Sequence, residues 1–337
     1  MSHLEKRKAE HVRIVAKDPS MDRRKFYFDQ IRLTHRALPE IDLAEIDPSV
    51  EFLGKKLPFP FMISSMTGGG DKLLKKINTN LAEAAEAEGV ALGVGSQRIF
   101  FSEPTAQSSF DLRGVAPNAL LLSNLGAVQF NEDMTLQHAK AVVDILKADA
   151  LCIHLNSLQE AIQPEGDTNF SNLWKKIGEI VQGLEVPVIV KEVGAGISVA
   201  DAELLIQAGV QYIDVAGAGG TSWSRIEAAR CSDPALGECF QDWGIPTPEA
   251  LKALSPLDVT LIASGGIRSG VDMAKAMILG ASLCGMARPF LAPAMESTKA
   301  VRDVIQRIKR EFVTTMFLLG ARTVDDLKGH NELIIES

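Results

Sequence analysis

Cysteine is scarce in this chain. Four occur in 337 residues (Cys152, Cys231, Cys239 and Cys284), and no two have the CxxC spacing of a metal or redox site. Cys152 and Cys284 lie in apolar, strand-like runs, where a buried free thiol is the usual state. A disulfide scaffold is not expected, which fits a reducing cytosol. Long apolar runs are missing too: none approaches the roughly 18 residues of a membrane span. The opening MSHLEKRKAEH is charged and has no apolar centre, so a secretory signal is not expected either. Positive charge is in deficit, with 35 Lys and Arg against 43 Asp and Glu and a net charge of −8. That balance excludes a nucleic-acid coat, and any phosphate chemistry must gather its cations locally. No long-period repeat or low-complexity segment occurs. The expectation is a cytosolic protein that binds neither membrane nor nucleic acid.

What is present is a large core. A hydrophobic content of 46% with 23% charged residues describes a globular protein. The length suits a single (β/α)₈ barrel with extensions. Residues 1–57 mix charge, proline and single apolar anchors, and are expected to form an arm. Its first part, Leu4 to Val15, reads as a short basic helix; residues 18–57 read as packed on the outside or bottom of a barrel. From Phe61 a βα rhythm takes over, so residues 58–337 are assigned to the barrel. Short apolar runs at 61–66, 90–95, 119–123, 150–154, 186–191, 211–216, 259–263 and 282–286 are eight candidate strands, each apolar enough to be buried on both faces. Between them lie helix signals. Leu136, Ala139, Val143 and Leu146 repeat at helical spacing; Ser198 precedes VADAELLIQA as a cap; Thr247-Pro248-Glu249 reads as N-cap, first-turn proline and first-turn acid. Ser297 to Leu319 is a long amphipathic helix. The alternation predicts an α/β fold, a (β/α)₈ TIM barrel, in preference to an open doubly wound sheet. The stretch 217–246 breaks the rhythm and reads as an insertion after strand six, suited to a lid or a subunit contact.

The polar residues gather at strand ends, where a barrel places its chemistry. After the fourth run the chain reads HLNSLQEAIQPEGD. Glu160 is a hard oxygen ligand suited to Mg²⁺, while the amides of Gln159 and Gln163 donate and accept hydrogen bonds without charge. The alternative is a solvated loop in which Asn156 or Ser157 caps the next helix. Strand ends one to three carry SSMTGGG, GVGSQR and SNLG; five to eight carry VKEVGAG, AGAGGTSW, ASGGIRSG and GMARP. Singly, each glycine pair is a tight turn. Together, those closing strands six and seven point to a phosphate site, since a phosphate in such barrels sits between the loops after strands seven and eight. Lys191 ends an otherwise apolar run and needs a partner in the folded state. It suits either a Schiff base or the negative charge of a reduced flavin ring. The adjacent Glu192 is expected to face the other side of the strand. On the first helix Arg7 and His11 share a face with Lys8 beside them; the alternative there is a solvated charged helix.

These motifs resemble the type 2 isopentenyl-diphosphate isomerases, FMN-dependent TIM-barrel enzymes. The resemblance spans nearly the whole chain: RKxxH (Arg7, Lys8, His11), SMTGG (65–69), GSxR (95–98), SNLG (123–126), HLNSLQEAIQPEGD (154–167), VKEVGAG (190–196), DVAGAGGTSW (214–223) and SGGIRSG (264–270). HLNxLQE followed by QPEGD is the specific part, whereas the glycine motifs are shared with other FMN barrels. The resemblance implies FMN contacts from Ser65, Met66, Thr67, Ser96, Asn124, Lys191 and Thr221, with the phosphate loops adding Gly265, Gly266, Ile267, Arg268, Ala287 and Arg288. It implies that Arg7 and Lys8 grip the substrate diphosphate, with His11, Arg98, His154, Asn156 and Gln159 beside it, and that Glu160 binds Mg²⁺. The implied reaction interconverts isopentenyl and dimethylallyl diphosphate without net redox change. Reduced FMN does the acid/base work there, with NADPH or NADH as reductant, while Gln159 and Glu160 position or relay and Lys191 balances the flavin's charge. A homotetramer or homooctamer is also implied.

The competing reading is an FMN-dependent 2-hydroxy-acid oxidase or dehydrogenase, which needs a histidine base on the loop after strand six; AGAGGTSW has none. A purine-nucleotide dehydrogenase needs a cysteine there, and Cys231 lies ten residues beyond Thr221. His3, His35, His138 and His330 have no motif around them.

Overall fold

The computed structural model describes residues 3–23, 26–66 and 68–335. Eight parallel strands close into a barrel in chain order: β1 (Phe61–Ile63), β2 (Ala91–Gly93), β3 (Leu121–Gly126), β4 (Ala150–Leu155), β5 (Val188–Glu192), β6 (Tyr212–Asp214), β7 (Thr260–Ser264) and β8 (Leu283–Met286). The strands are short, and most of their residues are buried on both faces, as parallel strands must be. Inside the barrel, Met62, Leu122, Cys152, Ile189, Ile262 and Leu283 pack together. The larger cluster lies between strands and helices and includes Phe61, Ile63, Leu121 and Ile153.

The helices follow the sequence signals with small differences. Thr298–Leu319 buries Val301, Ile305, Ile308, Phe312, Met316 and Leu319 on one face, with Ser297 accepting the Ala300 N–H at 3.1 Å as its cap. Ser198 caps Val199–Gln207 as expected. Thr247 does not cap. The helix Thr247–Leu254 already includes it, and its hydroxyl instead donates to the carbonyls of Ser264 (3.0 Å) and Gly265 (2.6 Å). Reaching across to the end of β7 turns the hydroxyl away from the N–H groups of its own helix. The stretch 217–246 carries two short helices, Trp223–Ala228 and Ala235–Cys239.

The first 57 residues touch both ends of the barrel. A hairpin, Val50–Phe52 with Lys55–Leu57, sends Phe52 and Leu57 against Ala91, Ala150 and Leu283 at the strand starts, closing the bottom. Arg32–Leu33 pairs antiparallel with Ile334–Ile335. Residues 20–23, by contrast, run across the top, where Asp22 is bridged to Thr221. That corrects the expectation that residues 18–57 all lie outside or below. The side chains of Asp22 and Arg23 find their partners in the upper loops, Thr221, Arg268 and Arg288 for Asp22 and the Gly194 and Trp243 carbonyls for Arg23. All four cysteines are free. Among the described residues no helix is long and apolar enough to cross a membrane.

Candidate active site

One cavity opens at the C-terminal ends of the strands, roofed by the N-terminal helix His3–Lys17. Every site residue expected from the sequence lines it, from Arg7 to Arg288, except Thr67, which lies outside the described residues.

One side of the cavity is made of close-packed backbone. Gly265 and Gly266 have φ of 91° and 82°; a Cβ on Gly265 would lie 2.1 Å from the Gly217 carbonyl oxygen, and one on Gly266 3.0 Å from that of Phe26. Only glycine fits there. Ser269 caps the following helix, Gly270–Ile278, whose N-terminus faces the same loop. Arg268 and Arg288 supply local positive charge and both reach Asp22, at 2.7 and 2.8 Å. Beneath them the hydroxyl of Ser64 is buried without a partner among the described residues. Asn124 donates to Ser65 Oγ at 2.9 Å, so its oxygen accepts from His154 Nδ1 at 2.8 Å. That bond fixes His154 as the Nδ1–H tautomer. Burial, reinforced by the charges of Lys191 and Lys8, pushes the imidazole down to about 3, so it is neutral.

Lys191 is buried in β5 and lines the cavity, its ammonium donating to the Glu192 carbonyl. In register beside it on β6 is Asp214. Burial raises the carboxyl pKa of Asp214 while Lys191 opposes the shift. Its Oδ1 accepts from Ser264 Oγ at 2.6 Å. Glu192 faces away, as period-2 alternation requires; one of its oxygens accepts the N–H groups of Val193 (2.6 Å), Gly194 (2.5 Å), Ala195 and Gly196 (3.2 Å).

The opposite side is made of side chains. Glu160 is buried and accepts from Asn156 Nδ2 (2.8 Å), the Asp167 N–H (2.8 Å) and Gln163 Nε2. Asn156 therefore serves the carboxylate rather than capping the helix Ser157–Ile162. Gly166 is required beneath this loop, since a Cβ would lie 1.9 Å from the Glu160 carbonyl oxygen. Gln159 donates to Glu227 at 2.8 Å. Glu227 is fully buried, and burial would raise its pKa, yet His11 at 3.1 Å, Gln159 and Arg230 at 2.5 Å together hold it at about 2. His11 also packs edge-on against Trp223, 5.2 Å between centroids. Arg7 lies 3.7 Å from Glu165, and Arg98 pairs with Asp167 at 2.7 Å. Lys8 donates to the Ser96 carbonyl; burial, then the neighbouring Arg7, lowers it to about 7. The basic face of the first helix is thus turned into the cavity and not into solvent.

Could these residues hold a flavin mononucleotide and a divalent ion? The glycine cradle, the arginine pair, the unpartnered Ser64 hydroxyl and the buried Lys191 fit a phosphate and an electron-rich ring. No group of three or more His, Cys, Asp or Glu that could chelate a metal occurs among the described residues. Glu160 would therefore share its ion with oxygens of a bound phosphate, which is how Mg²⁺ is usually held. Sequence reasoning missed Glu227, Arg230, Asp22 and Asp214. Glu227 sits in an ordinary-looking helix within 217–246, and nothing local marks it.

The sequence profile of the FMN-dependent dehydrogenase family matches residues 2–122 and 128–334. The chain is 51% identical to the isopentenyl-diphosphate delta-isomerase of Paracoccus zeaxanthinifaciens, over 98% of this chain and 97% of that one. It is 49% identical to the enzyme of that name from Hydrogenovibrio crunogenus, over 99% of each. It is 45% identical to that of Methanothermobacter thermautotrophicus, over 96% and 91%. Among solved structures, a flavocytochrome b2 mutant superposes with a TM-score of 0.70 at 17% identity, over 97% of this chain and 82% of that one. A mandelate oxidase mutant does so with 0.65 at 18%, over 97% and 98%. At such identity these two share the fold.

Proposed function

The chain belongs to the isopentenyl-diphosphate delta-isomerase family, within the FMN-dependent dehydrogenases, and from that membership we propose that it interconverts isopentenyl and dimethylallyl diphosphate. The observation that carries this reading is the pairing of a flavin cradle with the cationic face of the first helix in one cavity. A hydroxy-acid oxidation would use neither the Glu160 cluster nor a diphosphate grip, and the loop after β6 holds no histidine base.

Reduced FMN, when bound, supplies the electron-rich surface and the acid/base chemistry of the isomerisation. The protein's own groups do the rest. Gly265, Gly266, Ile267, Ala287 and the two arginines would hold the cofactor phosphate, and Thr221, Ser65, Met66, Ser96 and Asn124 would contact the rest of the cofactor. Lys191 balances negative charge on the ring. Arg7 and Lys8 would hold the diphosphate, with His11, Arg98 and Asn156 around it, and Glu160 would hold the Mg²⁺ that helps anchor it. His154, neutral and tied to Asn124, accepts hydrogen bonds through Nε2 but does not donate a charge. Gln159 donates one amide N–H to Glu227, and its oxygen accepts from Asn156 Nδ2 at 3.2 Å, which fixes the amide between them. The arm of residues 1–57 belongs to the substrate site in this reading, with the remaining barrel as one domain. The family resemblance extends the proposal to NADPH or NADH as reductant, a homotetramer or homooctamer, and a cytoplasmic location.

The test is proton NMR in D₂O under anaerobic conditions, with protein, FMN, dithionite or NADPH, Mg²⁺ and isopentenyl diphosphate. Deuterium-labelled dimethylallyl diphosphate should appear only with reduced flavin. Untouched substrate beside a bound, reducible flavin would overturn the isomerase reading and bring 2-hydroxy acids forward as substrates.

A further inference from the structure

Three groups assigned above to the cofactor site converge on a single carboxylate from the other end of the chain. Thr221 Oγ1 donates to Asp22 Oδ1 at 2.9 Å, Arg288 reaches the same oxygen at 2.8 Å, and Arg268 donates to Oδ2 at 2.7 Å. The backbone holds Asp22 in place on both sides. The Ser222 N–H donates to the Met21 carbonyl at 2.9 Å and the Arg23 N–H to the Gly220 carbonyl at 3.0 Å. Arg23, itself buried, adds bonds to the carbonyls of Gly194 (2.6 Å) and Trp243 (2.9 Å). Thr221, Arg268 and Arg288 line the cavity and Asp22 does not, so the carboxylate meets the arginines from behind. Arg288 also donates to the carbonyls of Val15 (3.4 Å) and Asp18 (3.1 Å), at the C-terminal end of the first helix, and Arg268 stacks on Phe26 at 4.9 Å.

We propose that Asp22 is a positioning residue of the cofactor site: it holds Arg268 and Arg288 side by side, facing the cavity, for the phosphate of FMN. The inference rests on the reading that this pair faces the phosphate. Two guanidiniums on long side chains repel each other and carry much rotamer freedom. One carboxylate between them offsets the repulsion, fixes both, and leaves a net single positive charge toward the cavity. The same contact ties the first helix, with its Arg7, Lys8 and His11, to the flavin site through Arg288.

Flavin-free protein titrated with FMN and with riboflavin, followed by flavin fluorescence, tests this. Wild type should bind FMN far more tightly than riboflavin. D22N should weaken FMN binding about tenfold, the worth of one charge-assisted hydrogen bond, and leave riboflavin binding unchanged. A D22N protein that binds FMN as tightly as wild type overturns the proposal. Tighter binding overturns it too, and would mean that Asp22 competes with the phosphate. If wild type does not prefer FMN, or R268Q and R288Q leave FMN binding intact, the underlying phosphate reading fails instead. Should D22N not fold, D22E, with its carboxylate one methylene further out, should show a smaller loss confined to FMN. Equal losses for both flavins would overturn the assignment.

Discussion

The two walls of the cavity are built on opposite principles. Around β7 and β8 the wall is backbone: glycines at positive φ, a helix N-terminus, and two arginines backed by Asp22. Around β4 and the Trp223–Ala228 helix the wall is side chain: buried Glu160, satisfied within its own loop by Asn156, Gln163 and the Asp167 N–H, and buried Glu227, met by His11 and Gln159 from distant segments. A backbone wall tolerates no added atom and takes its charge from two arginines fixed on one carboxylate, so it suits a fixed cofactor. A side-chain wall stores charge that can be rearranged, so it suits a substrate that comes and goes. Damage to one wall should therefore leave the other's ligand largely untouched.

The largest effect is expected on the backbone wall. Gly265→Val combines a positive φ with a Cβ 2.1 Å from the Gly217 oxygen, and should cost at least ~3 kcal/mol. Flavin absorbance of the purified protein and its melting temperature would both fall; retained flavin at unchanged stability would mean that the loop relaxes freely. On the other wall, Glu227→Gln weakens charge-assisted bonds from Arg230 and His11 and disturbs Gln159. A loss of ~2 kcal/mol in kcat/KM, about thirtyfold, is expected with FMN affinity unchanged. If FMN affinity drops equally, the walls are not independent.

Smaller effects come from protons. His154 is neutral in the folded protein, its pKa lowered to about 3 by burial and two lysines. Acid protonates the unfolded chain first, so stability should fall as the pH drops below ~6.5, by at most ~1.4 kcal/mol per unit from this group. Urea midpoints at pH 7 and 5.5 should differ less in His154→Gln than in wild type. Lys8 offers the subtlest test. With its pKa lowered to about 7, it is largely neutral at pH 8, and a bound diphosphate should recharge it. Calorimetry in buffers of different ionisation enthalpy should show uptake of a fraction of a proton in wild type and less in Lys8→Met.

Much of this was readable along the chain. All eight apolar runs became strands in order, because burial on both faces leaves a continuous signature. Strand ends moved by a few residues, since hydrogen bonding and not hydropathy decides where a strand stops. The glycines after β6 and β7 and the polar run after β4 announced the two walls, because tight turns and clustered amides are local features. What stayed hidden was who faces whom. Thr247 looked like a helix cap until two carbonyls of the β7 loop came within reach. Asp22 meets Thr221 across 199 positions and Arg268 across 246, while Gln159 meets Glu227 across 68. Periodicity and turn chemistry act over a few residues and are written in the sequence itself. The pairing of buried charges is settled only when closure of the barrel brings its upper loops together, and desolvation then makes every unpartnered charge costly.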